Sequence, residues 1–138
     1  QSGDRSLLLD CGSRIEGIGR PRVEASFLPQ VIDAMIKVPD ALSLAAMHYL
    51  ARRLNRRVGA SSGTNLVGAL LAARQMVEAG ESGSVVTILC DGGERYATSY
   101  YCEAWLADQG YELVPLIDRV AACVEQGSAL PDIPRSGL

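Results

Sequence analysis

The sequence predicts an α/β fold, with a parallel sheet and helices flanking it. Short apolar segments alternate with segments of helical periodicity, in the order strand, helix, strand, helix, strand, helix. Residues 84–90 (SVVTILC) are a continuous run rich in β-branched residues, typical of a strand buried on both faces. Right-handed crossovers between such strands give one parallel layer covered by helices. Three short strands form a thin sheet, so we expect more sheet than this chain supplies.

The individual elements follow from local signals. A short apolar run at residues 6–9, a candidate strand in addition to those three, precedes a loop at 17–22 (GIGRPR), where two glycines and Pro21 exclude a helix or a central strand. Short polar side chains cap helices, so Asp40 is the predicted N-cap of the first helix, and Ser61 or Ser62 that of the second. The other predicted elements are a helical turn within 27–34, strands at 35–38, 57–60 and 84–90, and helices at 41–55, 63–79 and 97–108.

Composition indicates one soluble domain. The chain has 138 residues, 48% of them hydrophobic, and a formal net charge of −3. This mild acidity does not favour nucleic-acid binding, and no apolar run approaches the roughly 20 residues that span a bilayer. The four cysteines form no CxxC pair, and acidic residues lack metal-ligand spacing, so we predict reduced thiols, no metal site and a cytoplasmic location. We divide the chain into residues 1–110 and a less patterned tail, 111–138.

Two loops carry most of the functional signal. Residues 59–65 (GASSGTN) offer hydroxyls and backbone N–H groups at a helix N-terminus, which suits an anion or polar ligand but equally suits a simple helix cap. The segment is not a Walker A loop, because no lysine follows its glycines. Residues 91–96 (DGGERY) also precede a predicted helix. Loops at the carboxyl ends of neighbouring parallel strands face one crevice, so we expect both loops to line one site.

Three motifs together resemble a known family. They are residues 15–33 (IEGIGRPRVEASFLPQVID), 58–70 (VGASSGTNLVGAL) and 85–101 (VVTILCDGGERYATSYY). In order and spacing they are similar to the carboxyl-terminal part of fold-type II pyridoxal-phosphate enzymes, whose fold is tryptophan synthase β-like. The similarity is greatest to cysteine synthases, including the S-sulfocysteine-forming branch, and extends to cystathionine β-synthase. It covers residues 13–109.

The resemblance implies specific roles for several residues. Ser61 lies where the family hydrogen-bonds the pyridine nitrogen of pyridoxal 5'-phosphate, and Asp91 lies near the cofactor ring. The amino-acid substrate would lie beside a loop formed by Gly17, Ile18, Gly19 and Arg20. Arginine forks suit anionic oxygens, so Arg20 or Arg22 would bind a charged nucleophile; surface pairing with Glu16 or Glu24 is the alternative.

The resemblance also implies that the chain is incomplete by itself. The family's Schiff-base lysine lies in an amino-terminal motif that this sequence does not contain. Lys37 is the one lysine, and it follows no such motif. No catalytic residue is therefore assigned in this chain, and the expected partner is the amino-terminal half, on the same or a separate polypeptide. The full enzyme would be a homodimer acting on a small amino acid, with no nucleic-acid or membrane partner.

The implied reaction is a β-replacement. An activated serine and a sulfur nucleophile would give cysteine or S-sulfocysteine, a transferase reaction of cysteine biosynthesis. Two alternatives stay open. The chain could be a non-catalytic homologue that acts as a binding or docking module. It could also belong to an enzyme with another fold-type II reaction, such as serine or threonine dehydration or diaminopropionate synthesis.

Overall fold

A computed structural model describes residues 12–19, 21–131 and 133 of the chain. The predicted strand at 6–9 and the predicted substrate residue Arg20 lie outside these ranges. The described part is mainly helical. Its helices are α1 (Asp40–Leu54), α2 (Ala60–Glu78), α3 (Glu103–Asp108) and α4 (Val114–Gln126), with 3-10 turns at Pro29–Val31 and Glu94–Tyr96.

The core is built around α1. This helix packs against both α2 and α4, and its residues from Leu42 to Met47 are all buried. Helix α2 approaches closely because it carries Gly63, where a Cβ atom would collide with the backbone of Ser43 and Met47. The prediction of a less patterned tail at residues 111–138 missed α4, in which Ile117 and Val120 are buried. The domain division at residue 110 stays a prediction.

The helix starts differ from the predicted caps. Helix α1 begins at Asp40 itself, after Pro39, and the Asp40 carboxylate instead accepts hydrogen bonds from the Ser13 hydroxyl (2.6 Å) and the Arg14 amide (2.7 Å). The N-cap of α2 is Gly59, and neither helix has a side-chain cap. The prediction of Asp40, Ser61 or Ser62 as caps is therefore wrong, because Asp40 has a more distant partner and α2 starts at Ala60, three residues before the predicted start.

The predicted parallel sheet is absent from the described residues, which contain isolated bridges but no strand; one bridge is antiparallel, between Val58 and Gly92. The strand predictions at 35–38, 57–60 and 84–90 are therefore wrong for the described chain, in which none of these segments forms a strand. Residues 84–90 are exposed throughout, and Val86 is 90% exposed. Extended segments become strands only beside a hydrogen-bonding neighbour, and residues 35–38 and 84–90 make no backbone ladder in the described chain.

These two extended segments border an open groove of about 350 Å³. Its floor is the middle of α2, with small residues such as Gly68, Ala69 and Ala72. Its sides are Ile36 and Val38 on one segment and residues 85–87 on the other. The groove therefore lies between two extended backbones, and most of its lining side chains are apolar, with Thr64, Asn65 and Thr87 the polar ones.

The predicted helix at 97–108 is shorter than expected. Turns occupy residues 97–101, and only Glu103–Asp108 is α-helical. The Tyr101 amide donates to the Tyr96 carbonyl (3.1 Å) and the Cys102 amide to the Ser99 carbonyl (2.9 Å), which ends the first turn before a helix develops. Within the described residues, no helix has both the length and the apolar character needed to cross a membrane.

Candidate active site

An open pocket of about 360 Å³ lies at the N-terminus of α2. It contains four of the six residues that the sequence predicts for the site, namely Ser61, Asp91, Gly17 and Ile18. Gly19 belongs to the same loop but does not line the pocket. The remaining lining residues are Glu16, Cys90, Arg95 and Tyr96. The prediction that the two glycine-rich loops share one site agrees with this geometry.

Ser61 lies in the first turn of α2 and is half-buried. Its hydroxyl makes no hydrogen bond with the residues that the structure describes. The adjacent Ser62 is different, since it is buried and its hydroxyl accepts a hydrogen bond from the Cys90 amide (2.9 Å). Ser61 therefore offers a neutral, available hydroxyl at the positive end of a long helix.

Asp91 joins the two loops. Its carbonyl accepts from the Gly59 amide (2.9 Å), and its carboxylate accepts from the Tyr96 hydroxyl (2.7 Å). A Cβ atom on Gly59 would overlap the Asp91 carboxylate. Glycine is therefore needed at position 59 for close approach, and the second carboxylate oxygen of Asp91 lies against the entry to α2.

Tyr96 lies at the centre of the pocket wall. The residue is buried, and its ring stacks on Tyr100 with 4.8 Å between centroids. Burial raises the pKa of Tyr96 above its ordinary value, and the hydrogen bond to Asp91 raises it further. The phenol therefore remains a neutral donor. The Tyr96 hydroxyl also lies 3.2 Å from a Glu16 carboxylate oxygen.

Residues 13–19, called here the glycine loop, form one side of the pocket. The loop is closed by a hydrogen bond from the Ser13 amide to the Gly19 carbonyl (3.0 Å). Both Gly17 (φ +83°) and Gly19 (φ +64°) have left-handed backbone conformations, which glycine adopts without strain. Ile15 is buried in the core, so the base of the loop is fixed.

Sequence reasoning missed Glu16 and Cys90 as pocket residues. Glu16 pairs with Arg95, with 2.9 Å between Oε2 and Nη2, and Cys90 is an exposed free thiol. Each directly precedes a residue predicted for the site, Gly17 or Asp91, and this adjacency is the signal that could have found them. Arg22 forms an exposed ion pair with Glu24 at 3.3 Å, the surface pairing that the sequence left open.

Other titratable residues lie outside the pocket. Lys37 is exposed and does not line it. His48 is half-buried on α1, with Nε2 at 2.9 Å from the Tyr100 carbonyl oxygen, and burial lowers the pKa of the His48 ring. The described residues contain no group of three or more His, Cys, Asp or Glu placed to hold a metal ion.

Several curated proteins are similar to this chain. It is 53% identical over 110 residues to an L-cysteine desulfhydrase of Mycobacterium tuberculosis, covering 80% of this chain and 30% of that protein. It is 30% identical over 115 residues to a cysteine synthase of Dictyostelium discoideum, covering 82% and 30%. It is 35% identical over 97 residues to a cystathionine beta-synthase of Apis mellifera, covering 70% and 19%. No protein-family model matches. The chain spans 30% or less of the length of these three relatives.

Proposed function

The chain belongs to the cysteine synthase and cystathionine β-synthase family of fold-type II pyridoxal-phosphate enzymes, and we propose that it is the carboxyl-terminal portion of such an enzyme. The observation that supports this most is the pocket itself, where Ser61, Asp91 and the tip of the glycine loop come together. In the proposed enzyme the lysine comes from the amino-terminal portion, since Lys37 is outside the pocket.

The pocket residues fit the ring of pyridoxal phosphate. Ser61 has an available hydroxyl, and the N-terminus of α2 adds a positive potential beside it. Neither group stabilises a positive charge on a ring nitrogen. The Asp91 carboxylate in the wall is already held by Tyr96 and by its position against Gly59. A neutral pyridine nitrogen therefore has a neutral partner here.

The cofactor supplies the electron sink for bond changes at the α- and β-carbons of an amino acid. In our proposal Ser61 orients its ring and keeps it neutral. The glycine loop covers the amino acid and excludes water from the pocket. Asp91 and Tyr96 fix the wall opposite that loop. Proton transfer at the α-carbon falls to the lysine of the amino-terminal portion.

The reaction we propose is β-replacement, in which an activated serine exchanges its β-substituent for sulfide or thiosulfate. Desulfhydration, in which cysteine loses its sulfur as sulfide, is a second candidate. The observation that favours it is the 53% identity to a protein named L-cysteine desulfhydrase. Both reactions break a bond at the β-carbon and differ in whether a nucleophile adds afterwards.

We further propose that the amino-terminal portion completes a sheet along the groove. The backbone N–H groups of residues 84–89 have no partner in the described residues, and Val86 and Ile88 are 90% and 68% exposed. On the facing side, Met35 is 46% exposed. An extended strand from the missing portion would satisfy both backbones and cover these side chains. The whole enzyme would then contain the sheet that the sequence predicts.

Product analysis with the whole enzyme tests the proposed reaction. Acetylserine with sulfide or thiosulfate gives cysteine or S-sulfocysteine if replacement is correct, whereas cysteine alone gives sulfide if desulfhydration is correct. Ser61→Ala should lower kcat/KM about 10- to 100-fold, the size seen when a positioning contact is lost, and Ser26→Ala, an exposed serine outside the pocket, should not. A whole protein that binds no pyridoxal phosphate would contradict the catalytic function and favour a docking module.

A further inference from the structure

We propose that Glu16 is a positioning residue, which holds the tip of the glycine loop against Arg95 and Tyr96 and thereby sets how tightly the amino-acid substrate is bound. The inference rests on the proposed function of this pocket. In this proposal Glu16 does not take part in the reaction. It acts through the loop that carries Gly17 and Ile18.

The base of the glycine loop is fixed independently of Glu16. The Asp40 carboxylate accepts from both the Ser13 hydroxyl and the Arg14 amide. The Tyr100 hydroxyl donates to the Arg14 carbonyl at 2.7 Å, and Ile15 is 2% exposed. Loss of one contact at the tip therefore leaves this base in place.

The tip of the loop depends on Glu16. The Glu16 amide donates to the Tyr100 hydroxyl at 3.1 Å. The Glu16 carboxylate accepts from Arg95 at 2.9 Å and from Tyr96 at 3.2 Å. The tip is residues 16–18. Gly17 within it and Gly19 directly after it have positive φ angles, and no Cβ atom restrains the backbone of either glycine. Ile18 packs against the core beside it. The tip therefore has a fixed base, a flexible backbone and two side chains that hold it, of which Glu16 is the one that contacts Arg95 and Tyr96.

The ion pair between Glu16 and Arg95 is weak enough to break and re-form easily. The Glu16 and Arg95 side chains are 58% and 63% exposed, and exposed ion pairs are weak and screened by salt. The competing contact of Tyr96 is stronger, since Asp91 lies at 2.7 Å and Tyr96 is buried. One phenol hydrogen cannot be fully donated to two carboxylates. The Asp91–Tyr96 contact therefore stays while Glu16 releases, and substrate can enter without disturbing the wall.

Hydrogen exchange in the whole protein, prepared without cofactor, tests the contact independently of activity. Glu16→Ala should speed amide exchange in residues 16–18 about three- to tenfold, the size expected when a weak local contact is lost, and leave residues 90–96 unchanged. Glu78→Ala is the matched control, because Glu78 forms an equally exposed pair with Arg74 at 2.7 Å. Exchange at 16–18 that is the same in Glu16→Ala and in the parent chain would overturn the proposal.

Kinetics of the whole enzyme test the role in substrate binding. Glu16→Ala should raise KM for the amino acid about tenfold with kcat within about twofold, the pattern of lost uniform binding. The exchanged pair Glu16→Arg with Arg95→Glu should recover most of the parent KM, which a general loss of stability would not allow. A fall in kcat at constant KM, or no rescue by the exchanged pair, would contradict a positioning role. If the enzyme proves inactive, the proposed function fails, and the exchange experiment still judges the Glu16 contact.

Discussion

The first turn and the middle of helix α2 differ in how many of the surrounding polar groups find hydrogen-bond partners within this chain. Around its first turn most polar groups are paired within the described chain, the Ser61 hydroxyl excepted: Gly59 with Asp91, Ser62 with Cys90, and Tyr96 with both Asp91 and Glu16. At its middle, the groove is bordered by extended segments without backbone partners. The pocket wall is thus formed within this chain, whereas the groove is left uncovered by the described residues. In our proposal, the amino-terminal portion covers the groove, and function at the pocket depends on that portion.

The two glycines of α2 give the largest contrast. Gly63→Ala should destabilise the chain by about 3 kcal/mol, the upper end of overpacking costs, because a Cβ atom there meets the backbone of Ser43 and Met47. Gly68→Ala, on the groove floor, should instead stabilise it by about 0.5 to 1 kcal/mol, since no atom lies within 4 Å and alanine favours a helix. Urea unfolding measures both changes. Equal effects of the two substitutions would contradict the close crossing of α1 and α2.

The exposed extended segment at residues 84–90 gives the next contrast, between the isolated chain and the whole protein. Val86→Ser should leave the stability of the isolated chain nearly unchanged, because Val86 is 90% exposed. In the whole protein it should cost about 2 kcal/mol, the value of a buried valine. Thermal unfolding of both forms measures the difference. Val114→Ser is the control, since Val114 is 68% exposed at the start of α4 and does not line the groove. An equal response of chain and whole protein to Val86→Ser would argue against coverage of the groove.

On the pocket side, removal of the Tyr96 hydroxyl should have a smaller effect. Tyr96→Phe should cost about 1 kcal/mol, the net value of one hydrogen bond, because Asp91 is exposed and water replaces the phenol. The loss should appear in the isolated chain as much as in the whole protein. A loss confined to the whole protein would mean that the pocket wall is not self-contained.

The smallest expected effect is a pH dependence at His48. Burial lowers the pKa of this ring, so the folded state favours the neutral form. Its contribution to stability is present above the ordinary pKa of about 6.5 and is lost as pH falls through the lowered folded value. The melting temperature should therefore drop on acidification below about pH 6.5, and His48→Gln should flatten this drop. An unchanged slope in the variant would assign the dependence to other groups.

The sequence was most informative where signals are local. Helical spacing of Leu44, Met47 and their neighbours predicted α1, which is observed at Asp40–Leu54. The pocket residues were expected from the resemblance of three motifs to a known family, and the structure gives a physical reason for two of the motif glycines. Gly17 has a left-handed backbone, and Gly59 lies too close to Asp91 for a Cβ atom. The amphipathic α4 was missed, although Ile117 and Val120 have helical spacing. Proline and glycine in and around this segment are common helix breakers and led to the prediction of a tail.

The strands could not be judged from the sequence alone. Residues 84–90 have the composition of a buried strand, but a strand is defined by its neighbour, and composition does not say where that neighbour comes from. Side-chain partners posed the same difficulty. Asp40 has the identity of an N-cap, yet its carboxylate bonds to Ser13 and Arg14, 27 and 26 residues away, a pairing that local patterns do not encode.

We propose that this chain forms the pocket wall of a pyridoxal-phosphate enzyme whose lysine lies outside these 138 residues. Native mass spectrometry of the purified protein, followed by borohydride reduction and denaturing mass analysis, tests it most directly. We predict a reduced pyridoxyl group on a lysine outside these 138 residues, with this chain attached to or bound by that portion. A folded chain without partner or cofactor, or a pyridoxyl group on Lys37, would contradict the claim.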